Sequence, residues 1–220
     1  MSRRILVVAA HPDDEVLGCG GTLIKEIAQG SEVYCLILGK GITSRSIHNP
    51  NDLTQLMRSC DQANTCLGVK DKWVLDYPDN QYDSVPLLQV VKSIECVKTL
   101  VQPDAVFTHY QNDLNVDHQI AFRATLTACR PVANESVRGL YSFYTPSATE
   151  WGSGGFAPNL YVDITTTIDQ KLKSLEYYSG ELRQDPHPRS IEGIKAFTRY
   201  YGSIVCVEHA EPFKIIRVQV

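Results

Sequence analysis

A histidine and three consecutive acids stand together near the start of the chain, in the stretch VVAAHPDDEVLGCGG at residues 7–21. The acids Asp13, Asp14 and Glu15 follow an apolar run that is typical of a buried strand. Adjacent like charges beside a core are unfavourable unless a cation or a proton neutralises them. The stretch therefore indicates either a metal site with acid–base chemistry or a helix N-terminus that attracts carboxylates through its dipole.

A second acid–histidine pair, Asp117–His118, favours the metal interpretation. His11 and His118 would supply imidazoles and Asp14 a carboxylate, which is the open three-ligand pattern of a catalytic zinc centre. Zinc lowers the pKa of water from ~15.7 to roughly 7. Asp13 would then act as the general base that takes the proton of this water. We expect Zn²⁺ at the three ligands, with Fe²⁺ as the alternative because imidazole and carboxylate also suit iron.

Alternating strand and helix patterns must position these residues. Four apolar runs are predicted strands: RILVVAA at 4–10, EVYCLIL at 32–38, KWVLDY at 72–77 and DAVFTH at 104–109. Apolar strands separated by helices predict the α/β class, with a Rossmann-like, doubly wound, mostly parallel sheet covered by helices on both faces. Ligands bind beyond the carboxyl ends of such strands. The polar segments HPDDE, GKGITS, PDNQYD and HYQNDLNVDH follow the four strands, so we expect one site there.

The remaining segments extend this pattern. Four helices are predicted between and after the strands, at 16–30, 51–68, 84–102 and 117–130, with Ser84 as a candidate cap. The segments after Gly139 predict strands at 139–144 and 159–165, helices at 166–180 and 190–202, and a strand or strand pair at 204–218. We interpret residues 1–138 as a Rossmann-like core and residues 139–220 as an extension of the same single domain.

Composition argues against several classes of protein. The chain has 220 residues, of which 43% are hydrophobic and 21% charged, as in ordinary globular proteins. A net charge of −4 offers no basic face for nucleic acid, and the apolar runs are too short to span a membrane. Seven cysteines without CxxC spacing predict reduced thiols and a cytoplasmic location.

The glycine cluster GCGG follows the first strand, as glycines do in nucleotide-binding proteins. It lacks the G-x-G-x-x-G spacing, and acids stand where phosphates would lie. We therefore interpret these glycines as close packing of the following helix. Cys19 has no assigned base, so a core position is favoured over a nucleophile. Glu15 is left to pair with backbone donors or a cation.

Taken together, these motifs resemble the LmbE-like (PIG-L) family of zinc-dependent N-deacetylases. The resemblance is carried by AHPDDE at 10–15, RSCDQANTCLG at 58–68, the DH pair at 117–118 and EHAEPFKIIR at 208–217. It implies the LmbE-like fold, a homo-oligomer and an amide hydrolase that removes an N-acetyl group from an amino sugar or sugar conjugate. The family includes enzymes of mycothiol, bacillithiol and GPI-anchor synthesis, so a nucleotide, lipid or thiol carrier stays open.

The resemblance also implies residue roles. It makes His11, Asp14 and His118 the metal ligands and Asp13 the general base. Arg58, Asp79 and Asn80 would contact sugar hydroxyls. Each of these three has a structural alternative, because Arg58 could pair with Asp61 one turn away and the segment PDN could form only a turn.

One position departs from the family pattern. Many relatives carry His-Pro-Asp-His, whereas this chain has Asn115-Val116-Asp117-His118. The Asn115 amide could donate to a developing oxyanion, a contribution of ~3 kcal/mol at best, but it cannot shuttle a proton. Either Asp13 makes both proton transfers, or His109 or His187 enters the site. Asp117 would orient Asn115 or His118.

Two further segments could contact a substrate. DPHPRS places His187 and Arg189 before a helix whose start could hold an anionic group of the substrate. Trp151, in EWGSGGFAPN, is either a stacking platform for a sugar or part of a solvent-exposed loop. Two other functions remain open: deformylation or amide hydrolysis of another acylated amine, and metal or sugar binding without catalysis. A gain of activity on replacing Asn115 with His would identify a protein that has lost catalysis.

Overall fold

Seven strands form one mixed sheet in the computed structural model, which describes residues 3–42, 44 and 50–220. The strands are β1 (Arg4–Ala9), β2 (Glu32–Gly39), β3 (Asp71–Tyr77), β4 (Ala105–Thr108), β5 (Gly139–Phe143), β6 (Leu160–Asp163) and β7 (Ala210–Val218). Their order is β3-β2-β1-β4-β5-β7-β6, with parallel pairing from β3 to β5 and antiparallel pairing of β7 with both β5 and β6. The predicted mostly parallel sheet is confirmed.

In the part of the chain that the structure describes, six α-helices connect or follow the strands. They are α1 (Asp14–Ala28), α2 (Pro50–Leu67), α3 (Leu87–Val101), α4 (Val116–Ala128), α5 (Ile168–Glu176) and α6 (Ile191–Ile204). The prediction that Ser84 caps the third helix is wrong, because Ser84 ends a 3₁₀ turn and Pro86 precedes α3. The predicted strand or strand pair at 204–218 is one strand that begins at Ala210, since α6 extends to Ile204.

The position of the site follows from the strand order. β1 and β4 are sheet neighbours, but the chain leaves β1 toward β2 and leaves β4 toward β5, on opposite sides. Loops diverge at such a switch point and leave a crevice outside the carboxyl ends of the strands. The loops after β1 and β4 carry the predicted metal ligands, so the topology brings the two segments together. Thr43, in the predicted loop after β2, lies outside the described residues.

Both faces of the sheet are covered by helices. Ile5 and Val7 of β1 join a core with side chains of α1, α2 and α5. Leu6 and Val8 point to the other face and join a core with α3 and α4. Alternate residues of the strand therefore enter different cores, which explains why the strand is apolar throughout. No helix of the described residues is long and apolar enough to cross a membrane.

The glycine cluster in α1 serves close packing, as predicted. A Cβ atom added at Gly18 would lie 2.3 Å from the Phe143 ring of β5. A side chain at this position would therefore have to displace a buried ring of the sheet. Cys19, beside it, is fully buried, and burial raises the pKa of its thiol well above the ordinary value, as expected of a core residue.

We expect Gly18→Ala to destabilise the protein by about 1–3 kcal/mol, because overpacking a rigid core forces side chains and backbone to shift. For a chain of this size the melting temperature should fall by roughly 2–12 °C. Gly180→Ala is the matched control, since a Cβ at Gly180 meets no atom within 4 Å. Equal melting temperatures of the two variants would contradict the packing argument.

A buried ion pair joins α1 to the C-terminal half of the sheet. Lys171 of α5 lies 2.6 Å from Glu211 of β7, and both side chains are 1% exposed. The Glu211 carboxylate also accepts hydrogen bonds from the Gly21 and Thr22 amides, while Lys171 donates to the Leu17 carbonyl. The pair therefore forms hydrogen bonds with backbone groups in the middle of α1, the helix whose first turn carries the acids of the site.

Candidate active site

Three loops at one edge of the sheet assemble the candidate site. The first, between β1 and α1, carries His11 and Asp13 and leads into Asp14, the first residue of α1. The third predicted loop, after β3, carries Asp79 and Asn80. The loop between β4 and α4 ends at Asn115, which caps α4 with its side-chain oxygen and places Asp117 and His118 in the first turn. The predicted convergence of these segments is therefore observed.

His11, Asp14 and His118 form a group that suits a divalent metal. One ligand atom of each lies within 4.8 Å of the others, and all three residues are buried or nearly so. Asp14 Oδ1 and both ring nitrogens of His118 are buried without a hydrogen-bond partner in good geometry. Buried polar atoms without partners are costly, and a metal ion would satisfy them. Two imidazoles and one carboxylate are also the ligand types of open catalytic zinc sites.

The charge around these ligands favours a positive charge at the site. Burial alone would lower the pKa of His11, but hydrogen bonds to Asp117 and Asp14 raise it to about 10. Burial would also lower the pKa of His118, but the carboxylates of Asp14 and Asp113 raise it to about 9. The carboxylates therefore outweigh the desolvation of both rings. A metal ion would compensate the same excess of negative charge.

Asp117 orients His11, which corrects the expectation that it orients Asn115 or His118. Its Oδ2 lies 2.8 Å from His11 Nε2, and its two oxygens accept the backbone amides of Asn80 and Tyr82. Asn115 instead accepts the backbone amide of Asp117. The helical turn points the Asp117 carboxylate toward the loops after β1 and β3. With Nε2 bonded to Asp117, Nδ1 of His11 faces Asp14 at 3.6 Å.

We expect Asp117→Asn to weaken metal binding by about 10–100-fold, because partners of ligating histidines fix their orientation and basicity. An asparagine must turn its amide NH₂ toward His11 or toward a backbone amide, and either orientation loses an acceptor. Isothermal titration with zinc measures the change. Asp76→Asn is the control, since this β3 carboxylate is 77% exposed; unchanged affinity in Asp117→Asn would contradict the role of the carboxylate.

Asp13 lies beside the three ligands in a strained conformation. Its φ is 108°, a value that few residues other than glycine adopt. Its Oδ2 lies 3.0 Å from Arg189 Nη1, and the side chain is almost fully buried. Burial raises the pKa of the Asp13 carboxyl well above its ordinary value, and Arg189 opposes this rise. The loop thus holds a carboxylate away from bulk water beside the ligands, as a proton-transfer group requires.

Glu15 supports the loop, which agrees with the expected pairing with a backbone donor. Its carboxylate accepts hydrogen bonds from the Asp13 amide, from Asn64 of α2 and from the Tyr178 hydroxyl. Burial raises the pKa of Glu15 to about 7, although the hydrogen bond from Tyr178 lowers it. The third acid of the run therefore anchors the backbone that carries Asp13.

A polar cavity of about 160 Å³ opens above these groups, and we call it the metal-side cavity. The predicted site residues that line it are His11, Asp13, Asp79, Asn80, Asn115 and Arg189. Asp14, Asp117 and His118 are buried behind them. Ser44 and Glu181 also line the cavity. Ser44 ends the polar segment GKGITS that was expected at the site, although it was given no role there. Glu181 was not predicted, because it belongs to no motif of metal or acid–base chemistry.

Three predicted contact residues, Arg58, His187 and His109, are not among the residues that line the metal-side cavity. Arg58 is exposed on α2, and within the described residues no hydrogen bond or ion pair joins it to the cavity; Asp61, its alternative partner, pairs with Lys72. His187 accepts a hydrogen bond from the Arg189 amide inside a turn.

His109 is completely buried, which excludes it from contact with a substrate in the cavity. Its Nε2 accepts the Ala10 amide and its Nδ1 lies 3.2 Å from the Thr145 hydroxyl. Burial lowers the pKa of His109 to about 4, and the neighbouring His118 adds to this effect. Both ring nitrogens are occupied by the fold, so His109 is a core histidine at the end of β4.

Arg189 and Asn115 line the cavity in arrangements that the sequence did not predict. Arg189 was expected to hold a substrate anion at the start of α6, but its guanidinium contacts Asp13 and the Pro146 carbonyl. Asn115 donates one amide hydrogen to Asn80 Oδ1 at 3.1 Å. An amide has two donors, and among the described residues the second hydrogen has no hydrogen-bond acceptor, so it can serve a group in the cavity.

Comparisons with known proteins agree with this geometry. A family model described as PIG-L, GlcNAc-PI de-N-acetylase, matches residues 6–129. The Bacillus cereus protein named "Probable N-acetyl-alpha-D-glucosaminyl L-malate deacetylase 2" is 25% identical over 199 residues, which cover 86% of this chain and 90% of the relative. Diacetylchitobiose deacetylase of Thermococcus kodakarensis is 23% identical over 227 residues, covering 97% of this chain and 83% of the relative.

A solved structure has the same architecture along nearly the whole chain. The conserved protein TT1542 from Thermus thermophilus superposes with a TM-score of 0.79 and 29% identity, over 98% of this chain and 96% of that chain. The matched region of the family model contains most of β1, the acid run and the Asp117–His118 pair. It also spans more than half of the chain. The chain therefore belongs to the PIG-L family of LmbE-like proteins.

Proposed function

We propose that this protein is a zinc-dependent amide hydrolase that removes the acetyl group from an N-acetylated amino sugar. The observation that carries the proposal is the group of His11, Asp14 and His118, in which Asp14 Oδ1 and both ring nitrogens of His118 are buried without a hydrogen-bond partner, beside the Asp13–Arg189 pair. The related proteins from Bacillus cereus and Thermococcus kodakarensis are both named as deacetylases of N-acetylated sugars, which supports the substrate class.

His11, Asp14 and His118 would hold the metal, and Asp117 would keep the His11 ring in place. When bound, the metal supplies a Lewis acid that polarises the amide carbonyl and makes water acidic enough to lose a proton near neutral pH. Asp13 takes this proton. Its carboxylate is held by Arg189 at 3.0 Å and by the strained backbone of the loop, so it does not need to reorganise for the transfer.

Asn115 and Asp13 complete the reaction. The free amide hydrogen of Asn115 donates to the carbonyl oxygen as that oxygen gains negative charge. The oxygen of the deprotonated water forms a bond to the carbonyl carbon. The C–N bond then breaks to give acetate, and the departing amine nitrogen needs a proton. Of the described residues that line the cavity, His11 is the one histidine, and it is assigned to the metal. We therefore assign both proton transfers to Asp13, which returns to the amine the proton it took from water.

A panel of acylated sugars tests the substrate class. The zinc-loaded protein should release acetate from N-acetylglucosamine or its conjugates, and amine formation should match acetate on a molar basis. N-formylglucosamine is the comparison, because a preference for formyl groups would assign the site to deformylation. Binding of zinc without release of any acyl group, followed by a gain of activity in Asn115→His, would identify a protein that has lost catalysis.

A further inference from the structure

A second cleft lies beside the metal-side cavity, and we call it the Trp151 cleft. Its volume is about 340 Å³, and it is lined by Gln111, Asn112, Asp113, Leu114, Gln119, Trp151, Gly152 and Ser153. Leu114 lines this cleft and Asn115 lines the metal-side cavity. Because consecutive Cα atoms are about 3.8 Å apart, the two cavities are neighbours across one loop.

Close contacts build the wall that carries Trp151. The Thr149 hydroxyl donates to Asp113 at 2.7 Å, and the Leu114 amide donates to the Ala148 carbonyl at 3.2 Å. A Cβ atom added at Gly152 would lie 2.0 Å from the Asn112 carbonyl oxygen. The glycine therefore permits the loop after β5 to lie directly against the loop after β4. The indole is presented by a segment that is tied to the site.

The lining of the cleft has the chemistry of a carbohydrate site. Trp151 is 52% exposed and Leu114 is 58% exposed, so both side chains contribute apolar surface to the cleft. The amide and hydroxyl side chains of the lining both donate and accept hydrogen bonds, as the hydroxyls of a sugar require. The His187 ring meets the Trp151 ring at 5.9 Å in an edge-to-face arrangement and restricts its position. An aromatic face beside planar amides fits a pyranose ring.

The side chains that line the cleft favour an uncharged ligand. Asp113 is the one ionisable residue among those that line the cleft. Its Oδ1 lies 3.2 Å from His118 Nδ1 and accepts the Asn115 amide, and its Oδ2 accepts the Thr149 hydroxyl. Its carboxylate is thus used within the protein. With no lysine or arginine in the lining, the cleft lacks a partner for a phosphate or carboxylate group.

We propose that the Trp151 cleft binds a second, uncharged sugar residue of an oligosaccharide whose N-acetylated residue occupies the metal-side cavity. This inference rests on the proposed deacetylase function. It makes the substrate a neutral N-acetylated oligosaccharide rather than a nucleotide-linked or phosphorylated sugar. Trp151 determines specificity by stacking on the second residue and does not touch the reacting amide.

Kinetics of Trp151→Ala test the subsite. The variant should raise the KM for N,N'-diacetylchitobiose about tenfold, as expected for loss of one aromatic stacking contact. Its kcat, and its KM for N-acetylglucosamine, should stay at the wild-type values. Trp151→Phe should recover most of the affinity for the disaccharide. Equal changes for the two sugars, or no change for either, would overturn the proposal.

Binding without turnover separates this inference from the proposed function. In the Asp13→Asn variant, with Trp73→Phe added so that Trp151 is the fluorophore, triacetylchitotriose should produce a saturable fluorescence change. Binding measured by calorimetry should weaken when Trp151→Ala is added. If the wild type hydrolyses no sugar but this binding occurs, the deacetylase function fails and the subsite stands. If acetate is released normally but triacetylchitotriose leaves the fluorescence unchanged, the subsite fails and the function stands.

Discussion

Asp13→Asn should abolish turnover while leaving metal binding intact. The assigned ligands are His11, Asp14 and His118, so none of them is changed by this substitution. Asparagine tolerates a positive φ nearly as well as aspartate, and its side-chain oxygen can still accept from Arg189. The fold around the site should therefore persist. Loss of a general base costs about 10²–10⁴-fold in rate, and kcat should fall by that amount.

Steady-state acetate release and metal analysis of the same preparation measure both parts of this prediction. One metal ion per chain should be found in the wild type and in Asp13→Asn. Asp83→Asn, an exposed carboxylate in the 3₁₀ turn, should match the wild type in both respects. Wild-type activity in Asp13→Asn would show that Asp13 is not the general base, and loss of metal would show that Asp13 is a ligand instead.

Lys171→Met should produce the largest loss of stability. The substitution keeps most of the side-chain volume but leaves the Glu211 carboxylate buried without its cation and the Leu17 carbonyl without its donor. Removal of one partner of a buried pair costs about 3–5 kcal/mol. For a chain of this size the melting temperature should fall by roughly 6–20 °C. The loss is large because two α1 amides also depend on Glu211.

Calorimetric unfolding compares this variant with Lys70→Met, which breaks the exposed pair between Lys70 and Glu32. Exposed pairs contribute at most about 1 kcal/mol, so Lys70→Met should unfold near the wild-type temperature. Adding Glu211→Gln to Lys171→Met should cost less than the sum of the two single substitutions, since no unpaired charge is then left. Equal stability of Lys171→Met and Lys70→Met would show that the buried pair does not secure α1.

The sheet and its first four strands could be predicted because each strand contains an apolar run and each is followed by a helical pattern. The C-terminal part was less predictable. β7 begins six residues after the end of α6, and its position between β5 and β6 depends on pairing partners that no local pattern specifies. Ser84 was predicted to start α3 because its type suits a cap, but Pro86 sets the start of the helix.

The grouping of His11, Asp14 and His118 could be predicted because their types and the strand ends that they follow are visible in the sequence. Their supporting partners could not. Arg189 comes from a turn before α6, 176 positions away from Asp13, and only the packing of the two segments reveals their contact. The Asp117–His11 bond likewise depends on the direction of a side chain in the first turn of α4. His109 was a candidate because it ends a strand, yet the Ala10 amide and the Thr145 hydroxyl occupy its ring nitrogens.

The same distinction applies to Trp151. Its sequence context permitted either a sugar platform or a solvent loop. The structure ties the segment to the loop after β4 through Thr149 and Asp113, and this contact joins two regions that are 36 positions apart. The cleft that favours stacking by Trp151 is therefore visible only in the folded structure. The residue types of the site are visible in the sequence, whereas the cavities around them depend on how the loops pack in the fold.

The central claim is that His11, Asp14 and His118 hold the metal on which amide hydrolysis depends. Zinc titrated into metal-depleted protein, with acetate release from diacetylchitobiose measured at each addition, tests it most directly. Activity should rise in proportion to zinc and reach its plateau at one equivalent per chain, and His118→Ala should neither bind that equivalent nor release acetate. Full activity of the metal-depleted protein, or of His118→Ala, would contradict the claim.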